Sequence, residues 1–160
     1  MITDYKIRRA DKKDLSALVE LNSELADFHH QLESRCCVGS ELQKGFKKNF
    51  KQTLDNPDFY WQVITNKDQV VGYVLIRIDR GPANMKPEKI GLVSGAILKK
   101  EHQNQGLMTE AIKSGLIWLK EREIRTVELN VLSNNHIAIK VWENLGFKEY
   151  KKRMFQKLGD

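Results

Sequence analysis

The sequence predicts a single α/β (α+β) domain over residues 1–160, in which a mixed sheet carries helices on both faces. Three observations predict this fold class. Strand and helix patterns alternate along the chain without a linker or an internal repeat. A strand–helix–strand–helix–strand run begins at Ile90, which implies a mixed sheet with helices on both faces. The composition, 41% hydrophobic and 30% charged, is that of one globular domain with enough chain for a single core.

The first half of the chain predicts two helices and a hairpin. After a first strand at residues 5–8, Asp11 has the character of an N-cap for a helix whose apolar residues recur at helical spacing. A second helix is predicted over residues 40–54, with apolar residues at steps of four. A hairpin follows, whose two strands are joined by a polar turn. These strands are predicted at residues 59–65 and 70–79.

The second half predicts the remaining strands and two more helices. Residues 90–98 form a nearly continuous apolar strand, as expected when both faces of a strand are covered. A helix begins near Gly106, and a strand is predicted at residues 126–131. The next helix ends at Gly146, which suits the position after a helix C-cap, and a last strand with a basic, solvated face is predicted at residues 148–157. The apolar side of that helix is predicted as Ile137, Ala138, Val141, Trp142 and Leu145.

The charge pattern indicates an anionic partner without identifying it. The net charge is +6, and the excess is spread along the chain except for the cluster in residues 148–157. An excess of this size raises the local concentration of a polyanionic ligand. The sequence has no zinc-ligand spacing, basic heptad repeat or aromatic-glycine RNA motif. We therefore do not expect nucleic acid as a partner.

The apolar runs, cysteines and histidines predict a cytoplasmic protein without a metal site. No apolar run approaches the roughly twenty residues that cross a bilayer, and the N-terminus lacks a basic-then-apolar signal. We expect no membrane partner. Cys36 and Cys37 are too few and too close for a disulfide framework, which indicates reduced thiols. His29 and His30 are adjacent and point to opposite sides of a helix, so they predict no shared metal.

The most informative functional pattern opens the helix that follows the strand at 90–98. Residues 103–108 read Gln-Asn-Gln-Gly-Leu-Met. The first turn of a helix has N–H groups without partners and the positive end of the helix dipole, and Gly106 lets a ligand approach the main chain closely. The segment therefore predicts a place for a phosphate. An ordinary strand-to-helix turn remains the alternative, because a single glycine before a helix is common.

Together with a second segment at residues 134–147, this pattern resembles the GCN5-related N-acetyltransferases. That family transfers an acyl group from acyl-coenzyme A to an amine. Its pyrophosphate-binding pattern is Gln or Arg, two residues, Gly, one residue, then Gly or Ala. Gln103 and Gly106 match this pattern, and Met108 departs from it.

The second segment resembles the family's helix pattern Asn-x-x-Ala-x-x-x-Tyr-x-x-x-Gly-Phe. Trp142 stands where tyrosine is usual, and the resemblance is specific over residues 88–158 and vague before them. The matching residues are Asn135, Ala138, Gly146 and Phe147.

The resemblance implies a specific architecture and a cosubstrate, acetyl-CoA. The implied sheet is twisted and mostly antiparallel, with about six to seven strands and about four flanking helices, and it is splayed in the middle. Coenzyme A enters between the strand ending at Leu98 and the strand at 126–131, where its pantetheine arm pairs with open main chain. The residues implied to contact it are Ile97, Leu98, Lys99, Gln103, Asn104, Gln105, Gly106, Leu107, Met108, Thr109, Asn135, Ala138 and Trp142.

The implied reaction moves the acetyl group to a primary amine, either a peptide N-terminus or a small amine, by direct attack in a ternary complex. It needs a neutral amine, a polarised carbonyl and a proton for the leaving thiolate. Trp142 occupies the position of the family's acid, but an indole N–H is too weak an acid to supply that proton. Because an ordinary thiol has a pKa of ~8.5, the thiolate leaves without full protonation, and we expect a slower reaction rather than none.

The general base is also missing from its usual strand position. Glu88 at the strand edge is the nearest carboxylate, and Glu128 and Tyr73 are the other candidates. A lysine amine with a pKa of ~10.4 is neutral to the order of a thousandth at pH 7, whereas an α-amine near ~8 is neutral to roughly a tenth. A site without a strong base therefore favours an N-terminal or other low-pKa amine.

Two other functions remain open at this point. The missing tyrosine and strand carboxylate also fit a catalytically weak domain of the same fold that binds or senses acyl-CoA. The open helix start alone also fits an unrelated phosphate- or nucleic-acid-binding module. A homodimer is open as well.

Overall fold

The computed structural model describes residues 4–159, and its strands form one five-stranded sheet in the order β1-β2-β3-β4-β5. Pairing is antiparallel from β1 to β4 and parallel between β4 and β5. The strands are β1 Tyr5–Arg9, β2 Phe59–Asn66, β3 Gln69–Arg80, β4 Lys89–Leu98 and β5 Val127–Leu129. The helices are α1 Leu15–Leu32, α2 Gly39–Thr53, α3 Leu107–Glu121 and α4 His136–Asn144. The predicted mixed, mostly antiparallel sheet with helices is confirmed.

The sheet separates two apolar clusters. On one face, α3 packs against the central strands, with Ile112 and Ile76 fully buried between them. On the other face, α1 and α2 cover Trp61 and Tyr73. Successive residues of a strand point to opposite faces, so strands covered on both sides are apolar along their whole length. This explains the nearly continuous apolar pattern of β2 to β4.

A β-bulge in β4 changes which face its residues occupy. The pairing between β3 and β4 skips Ser94, so this residue is an extra one without a partner on β3. Before the bulge, Val93 packs in the α3 cluster. After it, Ile97 packs in the α1–α2 cluster, although 93 and 97 would share a face in a regular strand. Residues of β4 that are four apart in sequence, such as these two, therefore lie on opposite faces of the sheet when the bulge separates them.

The parallel pair β4–β5 is short and opens at its C-terminal end. Three residue pairs join the two strands, from Gly91–Val127 to Val93–Leu129. Beyond this point β4 continues to Leu98, paired with β3 but with no strand on its other side in the described chain. The two strands thus diverge in the middle of the sheet.

The C-terminal segment, residues 148–159, corrects the sequence analysis. The last strand predicted at residues 148–157 is absent: the segment forms neither helix nor strand, and its residues are exposed. The sheet accordingly has five strands in residues 4–159 rather than about six to seven. The segment is rich in lysine and arginine and has no continuous apolar face to bury, and β5 offers only three residues for pairing.

Two smaller predictions in this half are also wrong. β5 is shorter than the strand predicted at residues 126–131. On α4, Ile137 is 82% exposed and Val141 is also exposed, so they are not part of a buried side. No helix or strand within residues 4–159 covers this flank of α4. The partly buried residues of α4 are Ala138, Ile139 and Trp142, and the C-cap Leu145 is also partly buried.

Candidate active site

The candidate site is the opening between β4 and β5. Over residues 95–98, β4 pairs with β3 alone, and no strand of the described chain pairs with its other edge. The N–H of Lys99 donates to the carbonyl of Val71 at 2.9 Å and holds the end of the strand against β3. An open edge of this kind binds an extended ligand that carries amides, by strand addition. Ile97 lies within this open stretch, as the sequence predicted for the pantetheine arm.

The start of α3 provides a row of N–H donors. Gly106 is the N-cap, with φ of 77°, and no side chain caps the first turn. The N–H groups of residues 106–109 have no acceptor within residues 4–159. A Cβ at Gly106 would meet no atom within 4 Å, so the positive φ, rather than lack of space, is what favours glycine here. Donors without partners at the positive end of a helix bind an anion.

The three residues after Gly106 offer their main-chain N–H groups, and the first two of them turn their side chains inward. Leu107 is buried, and Met108 and Thr109 are half-buried. Leu107 and Met108 pack with the cluster under α3. Met108 therefore departs from the family pattern without occupying the space in front of the N–H groups.

Side chains of the preceding loop hold this backbone in place. The Nε2 of Gln103 donates to the carbonyl of Leu98 at 2.8 Å, and the Nε2 of Gln105 donates to the Tyr5 hydroxyl at 3.3 Å. The same hydroxyl lies 2.8 Å from the Nδ1 of His102. The Leu98 carbonyl is thus already engaged by the protein. Tyr5 and His102 were not predicted, because no local pattern connects residues so far apart in sequence.

The exposed residue Asn104 also has positive φ, at 62°. Asparagine tolerates this region better than most residues, so it suits the tight loop before α3. Within the predicted segment 103–109, the N–H of Gln103 donates to the carbonyl of Lys100 at 3.2 Å, and the N–H groups of residues 106–109 are the open ones.

The second motif begins with a capped helix. The Oδ1 of Asn135 accepts from the N–H of Ala138 at 3.2 Å, and the Asn135 side chain is buried. Its neighbour Asn134 donates from Nδ2 to the carbonyl of Leu32 at 2.8 Å, which ties this loop to the end of α1. The Asn-x-x-Ala pattern is therefore explained by helix capping. Direct contact of Asn135 and Ala138 with the cosubstrate stays a prediction.

The end of α4 holds the tryptophan that replaces the family's tyrosine. Gly146 has φ of 92°, and the N–H of Phe147 donates to the carbonyl of Trp142 at 3.0 Å, as in a Schellman motif. The indole is partly buried and meets the Phe147 ring edge-on, with centroids 5.6 Å apart. Trp142 therefore packs against the edge of the α3 cluster, and its role in acetyl transfer stays a prediction.

Two of the three candidate bases lie in unsuitable surroundings. Tyr73 is 2% exposed, its hydroxyl donates to Oδ1 of Asn22 at 3.0 Å, and burial raises the pKa of its phenol. It keeps its proton at neutral pH. Glu88 has a side chain that is 84% exposed and pairs with Lys86 at 3.3 Å. It lies at the far end of β4, roughly 20 Å along the strand from the bulge at Ser94.

Glu128, the third candidate, lies on β5 beside the opening. It is partly buried, pairs in register with Leu92, and accepts a hydrogen bond from the Tyr150 hydroxyl at 2.8 Å. Tyr150 was not predicted as a site residue, because the sequence placed it in a solvated last strand.

No group of three or more His, Cys, Asp or Glu side chains in residues 4–159 is arranged to hold a metal ion. In the same range, no helix is both long enough and apolar enough to cross a membrane.

The geometry fits a ligand with an anionic head and an extended amide arm. The N–H row of α3 follows directly from the loop that leaves the open edge of β4, so both binding features border one opening. The pyrophosphate and the pantetheine arm of coenzyme A have this combination of groups. The residues present therefore fit coenzyme A.

Comparison with known proteins gives the family. A family model described as the acetyltransferase (GNAT) family matches residues 26–147. The chain is 27% identical to an N-alpha-acetyltransferase of Sulfurisphaera tokodaii over 154 residues, covering 92% of this chain and 83% of that protein. It is 24% identical to N-alpha-acetyltransferase 30 of Schizosaccharomyces pombe over 134 residues, covering 80% and 85% of the two chains.

A solved structure shows the same fold. It is a predicted acetyltransferase with acetyl-CoA from Clostridium acetobutylicum, with a TM-score of 0.75, 17% identity, and 96% of each chain covered. The chain belongs to the GNAT acetyltransferase family, and the resemblance recognised in its two motifs is confirmed. It is an acyl-CoA-dependent acetyltransferase with acetyl-CoA as cosubstrate.

Proposed function

We propose that this protein acetylates primary amines, in particular the α-amino group of a peptide N-terminus or a small amine of low pKa. The acetyl group passes from acetyl-CoA by direct attack of the amine in a ternary complex. The observation that carries the proposal is the opening between β4 and β5, with an unpaired strand edge over residues 95–98 beside the uncapped start of α3.

The preference for an α-amine follows from the chemistry of the opening. β4 has no carboxylate residue, and Tyr73 is buried and keeps its proton. An ordinary carboxylate with a pKa of ~4.3 is a weak base, so an amine that is neutral to roughly a tenth at pH 7 reacts more readily than a lysine amine. The relatives described as N-alpha-acetyltransferases agree with this preference.

The test is thiol release from acetyl-CoA with a panel of acceptors. The panel contains peptides with a free N-terminus, the same peptides with a blocked N-terminus and an internal lysine, and small amines. We expect kcat/KM for the free N-terminus to exceed that for the lysine peptide by about tenfold or more, in line with the neutral fractions. Equal or better use of the lysine peptide would contradict the α-amine preference.

A second candidate is a domain that binds acetyl-CoA without efficient turnover, and the observation that favours it is Trp142 at the acid position. Both candidates predict that coenzyme A stabilises the fold, by about 2.7 kcal/mol at a hundred times its Kd. Stabilisation without thiol release for any amine in the panel would favour the sensing domain. Absence of a thermal shift at millimolar coenzyme A would contradict both.

A further inference from the structure

We infer that Glu128 receives the acceptor amine, binding it as an ammonium and taking its proton, and that Tyr150 holds the Glu128 carboxylate in position. This inference rests on the proposed amine acetylation and identifies the base that the sequence left open.

The position of Glu128 along the sheet is the first step. Among the residues of β4 and β5, which border the opening, Glu128 is the sole carboxylate. It pairs in register with Leu92, two residues before the bulge at Ser94. That separation is roughly 7 Å along a strand. Glu128 therefore lies in the paired part of the two strands, one residue before the last pair, Val93–Leu129, after which the strands diverge.

The second step concerns the face of the sheet to which the Glu128 side chain projects. Val127 and Leu129 pack with the cluster under α3. Because side chains alternate along a strand, Glu128 projects to the opposite face, which α1 and α2 cover elsewhere in the sheet. α3, whose start offers the phosphate-binding N–H groups, lies on the other face. An acceptor next to Glu128 thus approaches from the face that the bound cosubstrate's phosphates do not occupy.

The third step is the contact with the C-terminal segment. The Tyr150 hydroxyl donates to Oε2 of Glu128 at 2.8 Å, and this hydrogen bond raises the pKa of the phenol, which remains a donor. The Oε1 of Glu128 has no hydrogen-bond partner within residues 4–159. One oxygen is held, and the other is available to an ammonium group.

The same segment reaches the connection between α1 and α2. The guanidinium of Arg35 lies 3.2 Å from the centroid of the Phe155 ring. Residues 148–159 therefore run from β5 to the turn after α1 and border the acceptor face. This segment, which the sequence analysis interpreted as a solvated strand, supplies the group that orients the base.

Glu128 takes one proton from the acceptor ammonium, and the neutral nitrogen forms a bond to the thioester carbon. The carbon–sulfur bond breaks with its electron pair on sulfur. The second nitrogen proton leaves to water as the amide forms, and the thiolate takes a proton from water. The proton on Glu128 returns to solvent, so each turnover of an ammonium acceptor releases one proton.

The experiment compares Glu128→Gln, Tyr150→Phe and Glu149→Gln in the full chain. Glu149→Gln is the matched control, because Glu149 lies in the same segment and pairs with the exposed Lys152 at 3.4 Å. We expect Glu128→Gln to lower kcat/KM for the amine by about a hundredfold or more, as for loss of a general base. Its affinity for coenzyme A and its Tm should stay at the wild-type values. The loss should be larger for a lysine-type amine than for an α-amine, because more of it is protonated.

Tyr150 acts through Glu128, so its signature differs. Tyr150→Phe should lower kcat by a few-fold to about tenfold and leave KM for acetyl-CoA unchanged, since only the orientation of the carboxylate is lost. Glu149→Gln should match the wild type in both constants.

Three results would overturn the inference. One is wild-type turnover by Glu128→Gln; another is loss of turnover by Glu88→Gln in its place; the third is an equal loss for all amines accompanied by a lower Tm, which marks a structural role. If the wild type acetylates no amine, the proposed function fails, and calorimetry still decides the role of Glu128. In that case, with coenzyme A bound, a tenfold weaker affinity of Glu128→Gln for a cationic amine supports the assignment, and equal affinity rejects it.

Discussion

The two helices that carry the family motifs begin in opposite ways. α3 starts at Gly106, with no side chain capping its first turn, whereas α4 starts at Asn135, whose Oδ1 caps the N–H of Ala138. A side-chain cap contributes about 1 kcal/mol to stability. α3 lacks that contribution and instead presents N–H donors to a ligand. The comparison shows how the same part of a helix serves binding in one motif and folding in the other.

The strongest test of this contrast changes the open helix start. Gly106→Val is expected to lower the affinity for coenzyme A by about thirtyfold, or about 2 kcal/mol. A β-branched residue is strained at positive φ, so the backbone shifts and the row of N–H groups is displaced. Calorimetric titration with coenzyme A and the Tm measure the two effects.

Gly146→Val is the matched control for that substitution. Gly146 also has positive φ, and a Cβ there would likewise meet no atom within 4 Å, but this glycine ends α4 rather than opening α3. We expect the same strain to lower the Tm in both variants, with coenzyme A affinity reduced only in Gly106→Val. Wild-type affinity in Gly106→Val would mean that the phosphates bind elsewhere.

A smaller effect is expected at the capped helix. Asn135→Ala removes the acceptor for the Ala138 N–H and should lower the free energy of unfolding by about 1 kcal/mol. The affinity for coenzyme A should change by less than about twofold, because the cap acts on the stability of the fold. For scale, a tenfold change in affinity corresponds to about 1.4 kcal/mol. Denaturant titration and calorimetry provide the two measurements. Asn135→Asp retains an acceptor and serves as the control.

The contrast between the two helix starts would be contradicted if Asn135→Ala bound coenzyme A about tenfold more weakly while its free energy of unfolding stayed unchanged. That result would give Asn135 the direct cosubstrate contact predicted from the sequence.

The smallest effect is expected inside α4. Trp142→Tyr restores the phenol usual in the family and should raise kcat a few-fold, because phenol and thiol differ by only about 1.5 in pKa and exchange a proton readily. The change in unfolding free energy should be below about 1.5 kcal/mol, since the ring is only partly buried and is replaced by another aromatic ring.

Trp142→Phe separates the phenol from the change in ring size. It should fold like the Tyr variant and show no rise in thiol release under saturating acetyl-CoA. An unchanged or lower kcat for Trp142→Tyr would mean that protonation of the leaving group does not limit the reaction.

The sequence predicted the features that depend on local patterns. Apolar spacing located the helices and most of the strands, and Gly106 with its flanking residues identified an open helix start. These features need only neighbouring residues, because a helix repeats every 3.6 residues and the uncapped first turn is a property of the helix itself.

The remaining features depend on contacts between distant parts of the chain. Tyr5 supports the loop before α3 from β1, and Tyr150 reaches Glu128 from the C-terminal segment. No periodicity encodes such pairs. The predicted last strand failed for a related reason: whether residues 148–157 form a strand depends on the partner available at β5, which is only three residues long.

Because of the bulge at Ser94, β4 uses one residue more than β3 over the same paired length. Removing this residue would restore regular alternation and leave the following side chains on their present faces, because Val93 and Gly95 already pair with the adjacent β3 residues Ile76 and Leu75. Ile97 would stay in the α1–α2 cluster, but β4 would lose the local bend that a bulge introduces. At the level of the gene, this one codon therefore encodes the bend of β4 next to the point where β4 and β5 part, while the pairing with β3 determines the faces of the residues that follow.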